Sequence, residues 1–204
     1  MKEIKTPITE LVFIIDRSGS MSGLEADTVG GFNSNLKKYR DSEGTTLVTT
    51  ALFSNQITVL HDRLDVSEVP EMSLRDYSVG GSTALYDAVG TQIEHIGAVH
   101  KYIREEDVPE YTVFVIMTDG YENASHRFTH RKIREMIEEK RENGWEFVFL
   151  GANIDTEEVA RGLGMNEDLA LNFCATPTGV LEVFDDMWCA VDKASAAVKE
   201  RKKK

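Results

Sequence analysis

Six apolar runs, rich in Val, Ile and Phe, recur along the chain and predict β-strands. The predicted strands span residues 11–15, 46–53, 57–60, 111–117, 146–150 and 169–174. Four of the six runs are nearly continuous rather than alternating, which is typical of strands that are covered on both faces. The pattern therefore indicates a sheet that lies between two other layers.

Helical spacing of apolar residues follows most of these runs. The predicted helices span about residues 24–40, 84–104, 129–141, 156–163 and 178–199. In the second helix, for example, Leu85, Val89 and Ile93 fall on one face. Strands that alternate with helices imply crossover connections and a mostly parallel sheet.

One connection breaks this alternation. Only residues 54–56 separate the second run from the third, and so short a link can join only antiparallel neighbours. We therefore expect residues 57–60 to form an antiparallel edge strand, and residues 62–79 to form a polar surface connection. The predicted fold class is α/β, a three-layer, doubly wound fold with a mostly parallel sheet and one antiparallel edge strand.

The composition fits one globular domain with a sizeable core. The chain has 204 residues, of which 41% are hydrophobic. We expect a single domain over residues 1–204, with its core at about residues 8–195 and a basic tail at residues 199–204. The formal net charge of −12 disfavours phosphate backbones and anionic lipids, so neither nucleic acid nor a membrane is an expected partner.

The sequence also carries expectations about location and redox state. The apolar run at residues 11–15 is too short for a signal-peptide core, and no run approaches the length of a membrane span. A cytoplasmic location is therefore expected. The two cysteines, Cys174 and Cys189, lie outside any metal-spacing motif, and we expect both to be reduced and at least partly buried.

Carboxylate and hydroxyl side chains are predicted to meet at one edge of the sheet. Asp16, Ser18 and Ser20 follow the first strand, Asp119 follows the fourth, and Thr83 comes just before the second long helix. In open parallel sheets, ligands bind beyond the carboxyl ends of the strands. The alternate positions of the first three residues place their oxygens on one side of an extended turn, where all three can face one ion.

These five side chains offer only hard oxygen ligands. Such a set suits Mg²⁺, Mn²⁺ or Ca²⁺ rather than zinc, which prefers Cys or His. Two carboxylates and three neutral hydroxyls would leave Mg²⁺ incompletely neutralised and coordinated, and an acidic group from elsewhere would complete its shell. The sequence thus predicts a metal-mediated docking site, although Asp-x-Ser-x-Ser alone would also fit a capped helix start.

Three motifs resemble those of a von Willebrand factor A domain with a metal-ion-dependent adhesion site. They are DRSGS at residues 16–20, GGSTALYDAV at residues 80–89 and VIMTDGYEN at residues 115–123. The resemblance covers roughly residues 8–195 and is strongest to the small stand-alone bacterial members of the family. It implies the Rossmann-like fold of that family.

The resemblance also implies a role for each metal-site residue. Ser18 and Ser20 would coordinate the ion directly, and Thr83 would do so in the ligand-competent state. Asp16 and Asp119 would act directly or through bound water. Family members often take a Glu or Asp of a partner as the last metal ligand, and some shift their C-terminal helix when they do.

The residues that flank the site motifs are expected to form a rim that shapes what docks there. This predicted partner-binding rim consists of Arg17, Met21, Ser82, Tyr121 and Glu122.

Other residues near these motifs have simpler interpretations. The pair Gly30 and Gly31, inside a predicted helix, is typical of close packing against a neighbour. Asp87 lies in a first helical turn, where it favours the helix dipole. His126 and His130 are interpreted as solvated surface residues, because no third metal ligand accompanies them.

Three functions remain open on the sequence alone. The leading hypothesis is a non-enzymatic module, monomeric when alone, that captures a Glu or Asp side chain of a partner protein through a bound Mg²⁺, with Mn²⁺ or Ca²⁺ as alternatives. The second is a metal-dependent hydrolase or phosphoryl-transfer enzyme, for which Glu122, Arg17 and His126 are the nearby candidates for a base or cationic clamp. The third is a degenerate scaffold in which the site is only structural.

Overall fold

The computed structural model describes residues 7–42 and 44–201, and their strands form one six-stranded sheet. The strands are β1 (Ile8–Asp16), β2 (Thr45–Phe53), β3 (Ile57–Asp65), β4 (Tyr111–Thr118), β5 (Trp145–Gly151) and β6 (Ala170–Asn172). Their order across the sheet is β3-β2-β1-β4-β5-β6. All six predicted strands are therefore present, with bounds that differ by a few residues.

The sheet is parallel except at one edge. β1 pairs in parallel with both β2 and β4, and β5 pairs in parallel with β4 and β6. β3 pairs with β2 in the antiparallel direction. The predicted hairpin and the predicted antiparallel edge strand are thus confirmed.

Five α-helices connect and cover the strands in the described part of the chain. They are α1 (Glu25–Arg40), α2 (Leu85–Tyr102), α3 (His130–Glu142), α4 (Thr156–Gly162) and α5 (Pro177–Arg201). A short 3₁₀ turn at Gly19–Met21 lies between β1 and α1, and α1 begins within one residue of its predicted start.

Alternate residues of the central strands pack against different helical layers. Phe13 of β1 faces one apolar cluster with Phe32 of α1 and Phe184 of α5, and the Phe13 and Phe32 rings meet edge to face at 5.3 Å. Ile14 faces the opposite cluster with Ile93 of α2. Because each strand buries both of its faces, its sequence is a continuous apolar run. The three-layer α/β fold class is confirmed.

The prediction for residues 62–79 is wrong in part. β3 continues through Asp65, and the following chain is anchored by the Asn33 side chain, which donates to the Met72 carbonyl at 2.8 Å and accepts from the Met72 amide at 2.9 Å. Four apolar side chains of this segment are buried in the core: Val66, Val69, Met72 and Tyr77. Each of them lies singly among polar residues, and a proline at position 70 interrupts the segment, so the sequence contains no apolar run that would indicate their burial.

The cysteine prediction is also wrong as to burial. Cys174 and Cys189 are both free thiols, and both are exposed. Cys174 lies in the loop before α5, and Cys189 lies on the outer side of that helix. The rule that cysteine tends to be buried did not hold at either position.

The C-terminal end of the chain is helical as far as Arg201, two residues beyond the predicted helix. Residues 202–204 of the predicted basic tail lie outside the described residues.

None of the helices described by the structure combines the length and the apolar composition needed to cross a membrane.

Candidate functional site

Asp16 ends β1 and holds two strand-end loops together. One oxygen of its carboxylate accepts a hydrogen bond from the Ser18 amide at 2.7 Å, and the other accepts from the Thr118 hydroxyl at 2.6 Å. The Tyr77 hydroxyl also donates to the Asp16 carbonyl oxygen. Asp16 is fully buried, so its carboxylate is fixed from both sides at the base of the site.

Three of the predicted metal-site residues form a continuous chain of oxygen atoms. The Ser18 and Ser20 hydroxyl oxygens are 3.0 Å apart, and the Ser20 hydroxyl donates to the Asp119 carboxylate at 2.6 Å. Ser20 and Asp119 are 99 residues apart in the sequence. Ser18 is buried and Ser20 is exposed, so the cluster extends from the protein interior to the surface.

Thr83 lies in a loop that is bonded to both of the other site loops. The Gly19 amide donates to the Gly81 carbonyl at 3.0 Å, which joins this loop to the one after β1. The Thr83 amide donates to the Asn123 side-chain oxygen at 2.9 Å, and the Asn123 amide donates back to the Thr83 carbonyl at 3.0 Å. The three loops are thereby held in fixed positions relative to one another.

Gly81 makes this close approach possible. Its φ angle of +84° lies in the left-handed region, and a Cβ at this position would stand 2.2 Å from the Asn55 side-chain oxygen. Any larger residue would be strained and would collide with that side chain. Glycine at position 81 therefore lets the loop that carries Thr83 reach the loop after β1 without backbone strain.

The electrostatics of the site favour a bound cation. Burial raises the pKa of Asp16, and the nearby Asp119 carboxylate raises it further despite the hydrogen bonds from Thr118 and Ser18. Burial also raises the pKa of Asp119. The Arg17 guanidinium donates to the Thr58 hydroxyl at 2.8 Å rather than to either carboxylate. Two buried negative charges are costly without a compensating positive charge, which a metal ion would provide.

The residue types fit an oxygen-liganded metal ion. Within the described residues there is no group of three or more His, Cys, Asp or Glu side chains that could hold a metal ion. Any ion bound here must therefore depend on hydroxyl oxygens as well as on the two carboxylates. That combination fits the hard divalent cations, and it fits zinc poorly.

The predicted rim is only partly at the surface. Ser82 and Tyr121 are exposed, and Tyr121 has 57% of its surface accessible. Arg17 is half-buried and points toward β3 through its bond to Thr58. The prediction for Met21 is wrong, because this side chain is fully buried in the core beneath the loop.

Glu122 also differs from its predicted role. Its carboxylate accepts from the amides of Ala124 at 2.8 Å and Ser125 at 2.6 Å, and from the Ser125 hydroxyl at 2.8 Å. It also accepts from the Tyr86 amide in the first turn of α2, at 3.0 Å. These four bonds direct the carboxylate into the protein, so Glu122 holds its loop against α2 rather than facing a partner.

Asp87 completes this connection from the other side, a role that the sequence analysis missed. Its carboxylate accepts from the amides of His126, Arg127 and Phe128, each at 2.9 Å. In return, the Ser125 hydroxyl accepts from the Asp87 amide at 3.0 Å. The chain places these partners about 40 residues away, so only the polar stretch after Asp119 hints at such a contact.

Residues 10–179 match the family model of the von Willebrand factor type A domain. The chain belongs to this family. Domains of this family are generally metal-dependent protein-interaction modules. A search of curated proteins finds no match to the chain.

Solved structures share the von Willebrand factor A fold at low sequence identity. The vWF domain of the type V pili tip protein Mfa5 from Porphyromonas gingivalis is 11% identical with a TM-score of 0.66, and the match covers 95% of this chain and 97% of that one. The SpRpn10 VWA domain is 12% identical with a TM-score of 0.58, and the match covers 88% and 95%. Identities this low show the fold alone.

A mussel protein is a further structural relative. Proximal thread matrix protein 1 from the mussel byssus is 13% identical with a TM-score of 0.63, over 95% of this chain but only 46% of the mussel chain. The present chain thus spans about half the length of that relative. One structure of the mussel protein has a zinc-occupied MIDAS motif.

Proposed function

We propose that this von Willebrand factor A domain is a divalent-metal-dependent binding module that captures a Glu or Asp side chain of a partner protein. The observation that carries the proposal is the cluster of Ser18, Ser20 and Asp119, whose oxygens meet within hydrogen-bonding distance above the buried Asp16. Together with Asp16, the cluster accounts for four of the five residues expected to hold the metal, and the loop of the fifth, Thr83, is bonded to both neighbouring loops.

Each site residue has a distinct part in this proposal. The Ser18, Ser20 and Thr83 hydroxyls would bind the ion as neutral ligands, while Asp16 and Asp119 would bind it directly or through water. Mg²⁺ is the proposed ion, with Mn²⁺ or Ca²⁺ as alternatives. When bound, the ion supplies the positive charge that attracts and orients an incoming carboxylate.

The exposure of the site supports an external last ligand. Ser20 is exposed while Asp16 and Ser18 are buried, so the protein's own oxygens approach an ion mainly from the interior side. A partner's carboxylate would approach from solvent, between Ser82 and Tyr121 on the exposed part of the rim. We propose a monomer that acts in the cytoplasm, with neither nucleic acid nor a membrane as partner.

The alternative of an enzyme gains no support from its candidate groups. The Glu122 carboxylate is engaged by four hydrogen bonds, and the Arg17 guanidinium donates to Thr58. His126 is exposed, and its amide is held by Asp87. A hydrolase would need a base or a cationic clamp directed at the bound substrate.

The first experiment measures thermal unfolding of the protein with Mg²⁺ and with EDTA. A ligand that binds only the folded state at about 100 times its dissociation constant stabilises it by about 2.7 kcal/mol. For a domain of this size, that corresponds to a rise in the melting temperature of about 5–10 °C. Ser20→Ala should remove most of this rise, because its hydroxyl lies between Ser18 and Asp119.

Ser22→Ala is the matched control, since Ser22 is an exposed serine two positions further along the same loop. It should keep the full Mg²⁺-dependent rise. An equal melting temperature in Mg²⁺ and EDTA for the wild type would contradict the proposed metal site. A rise that survives in both serine variants would place the ion elsewhere.

A further inference from the structure

A cavity opens beside the proposed metal site. It has a volume of about 310 Å³, and its walls include Tyr86, Tyr121, His130 and Glu158. A smaller cavity of about 90 Å³ shares the two tyrosines with it and reaches Gly120. Gly120 follows Asp119, and a Cβ there would stand 3.9 Å from the Ser20 hydroxyl oxygen. The two cavities therefore lead away from the metal site itself.

Three aromatic rings line the larger cavity together with Glu158 and the apolar side chains of Val159 and Leu163. Contacts within the protein set the positions of the rings. The Tyr86 and His130 rings meet edge to face, with centroids 5.8 Å apart and an interplanar angle of 75°. The Tyr121 hydroxyl accepts from the Asp155 amide at 3.2 Å, which fixes the outer end of this exposed side chain. A ligand would meet rings that need little rearrangement.

The charge at this cavity is negative. Glu158 lines it from the first turn of α4, and no ion pair within the described residues engages the Glu158 carboxylate. Arg161, the cation on the same helix, is turned toward Glu167, to which it donates two hydrogen bonds at 2.8 and 2.7 Å. The cavity thus offers aromatic rings and an exposed acid that has no ion-pair partner among the described residues.

We propose that this aromatic cavity binds a Lys or Arg side chain of the same partner segment whose carboxylate binds at the metal site. A cation gains both from the negative faces of aromatic rings and from a nearby carboxylate. The chain's net charge of −12 favours a basic group as well. The inference rests on the proposed function for the binding of the partner's carboxylate. The binding of the partner's basic side chain rests on the geometry of Tyr86, Tyr121 and Glu158.

An apolar side chain fits this cavity less well. It would leave the exposed Glu158 carboxylate beside the cavity without a partner, whereas a cation would pair with it. An acidic side chain would add repulsion. The recognised segment therefore carries an acidic residue and a basic residue within a few positions of each other.

The binding of a basic side chain in the cavity is tested separately with a one-residue probe. Nα-acetyl-lysine methylamide is titrated into the protein while NMR follows the ring resonances of Tyr86 and Tyr121, and Nα-acetyl-norleucine methylamide serves as the uncharged probe. We expect the lysine probe to bind at least about fivefold more tightly than the norleucine probe. Glu158→Gln should remove most of that difference. Glu157→Gln, a change of the neighbouring acid outside the cavity lining, should keep it.

Equal binding of the two probes, or equal losses in the two glutamine variants, would overturn the cavity's preference for a cation. Ring resonances that do not move with the lysine probe would overturn it as well.

The link to the metal site is tested with two capped peptides, Glu-Gly-Gly-Lys and Glu-Gly-Gly-Gln, in Mg²⁺ and in EDTA. Mg²⁺-dependent binding of the glutamine peptide tests the proposed function, and Asp16→Ala should abolish it. A further affinity gain of about fivefold for the lysine peptide, lost in Glu158→Gln, supports the joint site.

Equal Mg²⁺-dependent binding of both peptides would overturn the inference and leave the proposed function standing. If the lysine peptide binds equally tightly in Mg²⁺ and in EDTA, that result would contradict the proposed function and support only the binding of a cation in the cavity.

Discussion

Gly30 and Gly31 are adjacent residues of α1 with opposite surroundings. A Cβ added at Gly31 would stand 2.3 Å from a ring carbon of Phe184, which is almost fully buried on α5. A Cβ added at Gly30 meets nothing within 4 Å. The close packing predicted for this pair from the sequence therefore belongs to Gly31 alone.

This contrast predicts opposite effects of the same substitution. Gly31→Ala should lower the free energy of unfolding by about 1–3 kcal/mol, because the methyl group forces α1 and α5 apart. Gly30→Ala should raise it by about 0.5–1 kcal/mol, because alanine favours the helix. Urea denaturation of both variants measures the difference. Similar values for the two would show that α5 yields easily at this contact.

At the level of single residues, sequence reasoning predicted the position of a side chain correctly where an oxygen-bearing residue also lies at the end of a strand. Asp16 ends β1, and Ser18, Ser20 and Asp119 lie in the loops that follow β1 and β4, so the fold brings them together. It failed for Met21, whose position next to the site loop says nothing about the direction of its side chain.

At the scale of elements, the connection between α2 and the loop of residues 122–128 is the clearest addition from the structure. Asp87 accepts three amide hydrogen bonds from this loop, while Glu94, two turns further along α2, meets Arg127 only in an exposed ion pair. Hydrogen bonds to a charged group contribute more than an exposed ion pair. The two acids should therefore differ in their contribution to stability.

Asp87→Asn should lower the free energy of unfolding by about 1–3 kcal/mol, whereas Glu94→Gln should change it by less than about 0.5 kcal/mol. Chemical denaturation at neutral pH measures both. A larger loss in Glu94→Gln would mean that the surface ion pair, rather than the amide hydrogen bonds to Asp87, holds the loop to α2.

The same contact predicts a pH dependence. Burial raises the pKa of Asp87, but the amides of His126, Phe128 and Arg127 together lower it below its usual value. A carboxyl whose folded pKa is depressed stabilises the protein above its unfolded pKa and loses that contribution as the pH falls through the folded pKa. The stability difference between the wild type and Asp87→Asn should therefore shrink below about pH 4. A difference that stays constant from neutral pH to below that value would contradict the prediction.

Elements were predictable where periodic apolar patterns persist. The sheet order and the antiparallel edge follow from continuous runs and one short link. The anchoring of residues 62–79 did not follow, because its apolar residues are isolated and its backbone is held by polar groups of α1 such as Asn33. Contacts between distant polar groups leave no periodic trace.

At the scale of the whole molecule, ionisable groups gather at both ends of the central strand. Glu10 lies near the start of β1 and is fully buried, with its carboxylate 2.5 Å from the Arg63 guanidinium and 2.5 Å from the His100 ring. Asp16 lies six residues further on, roughly 20 Å away along the strand. The first cluster is internally paired, whereas the second lies beside an exposed serine.

This arrangement predicts that the two ends are energetically independent. Glu10→Gln should lower the free energy of unfolding by about 3 kcal/mol, because it leaves Arg63 partly buried without its counter-charge. Sites this far apart with no shared partners are usually additive, so the Mg²⁺-dependent rise in melting temperature should persist in Glu10→Gln. Ser20→Ala should show the reverse, with little change in EDTA and a much smaller response to Mg²⁺. A lost Mg²⁺ response in Glu10→Gln, measured under conditions where that variant is fully folded, would show instead that β1 couples its two ends.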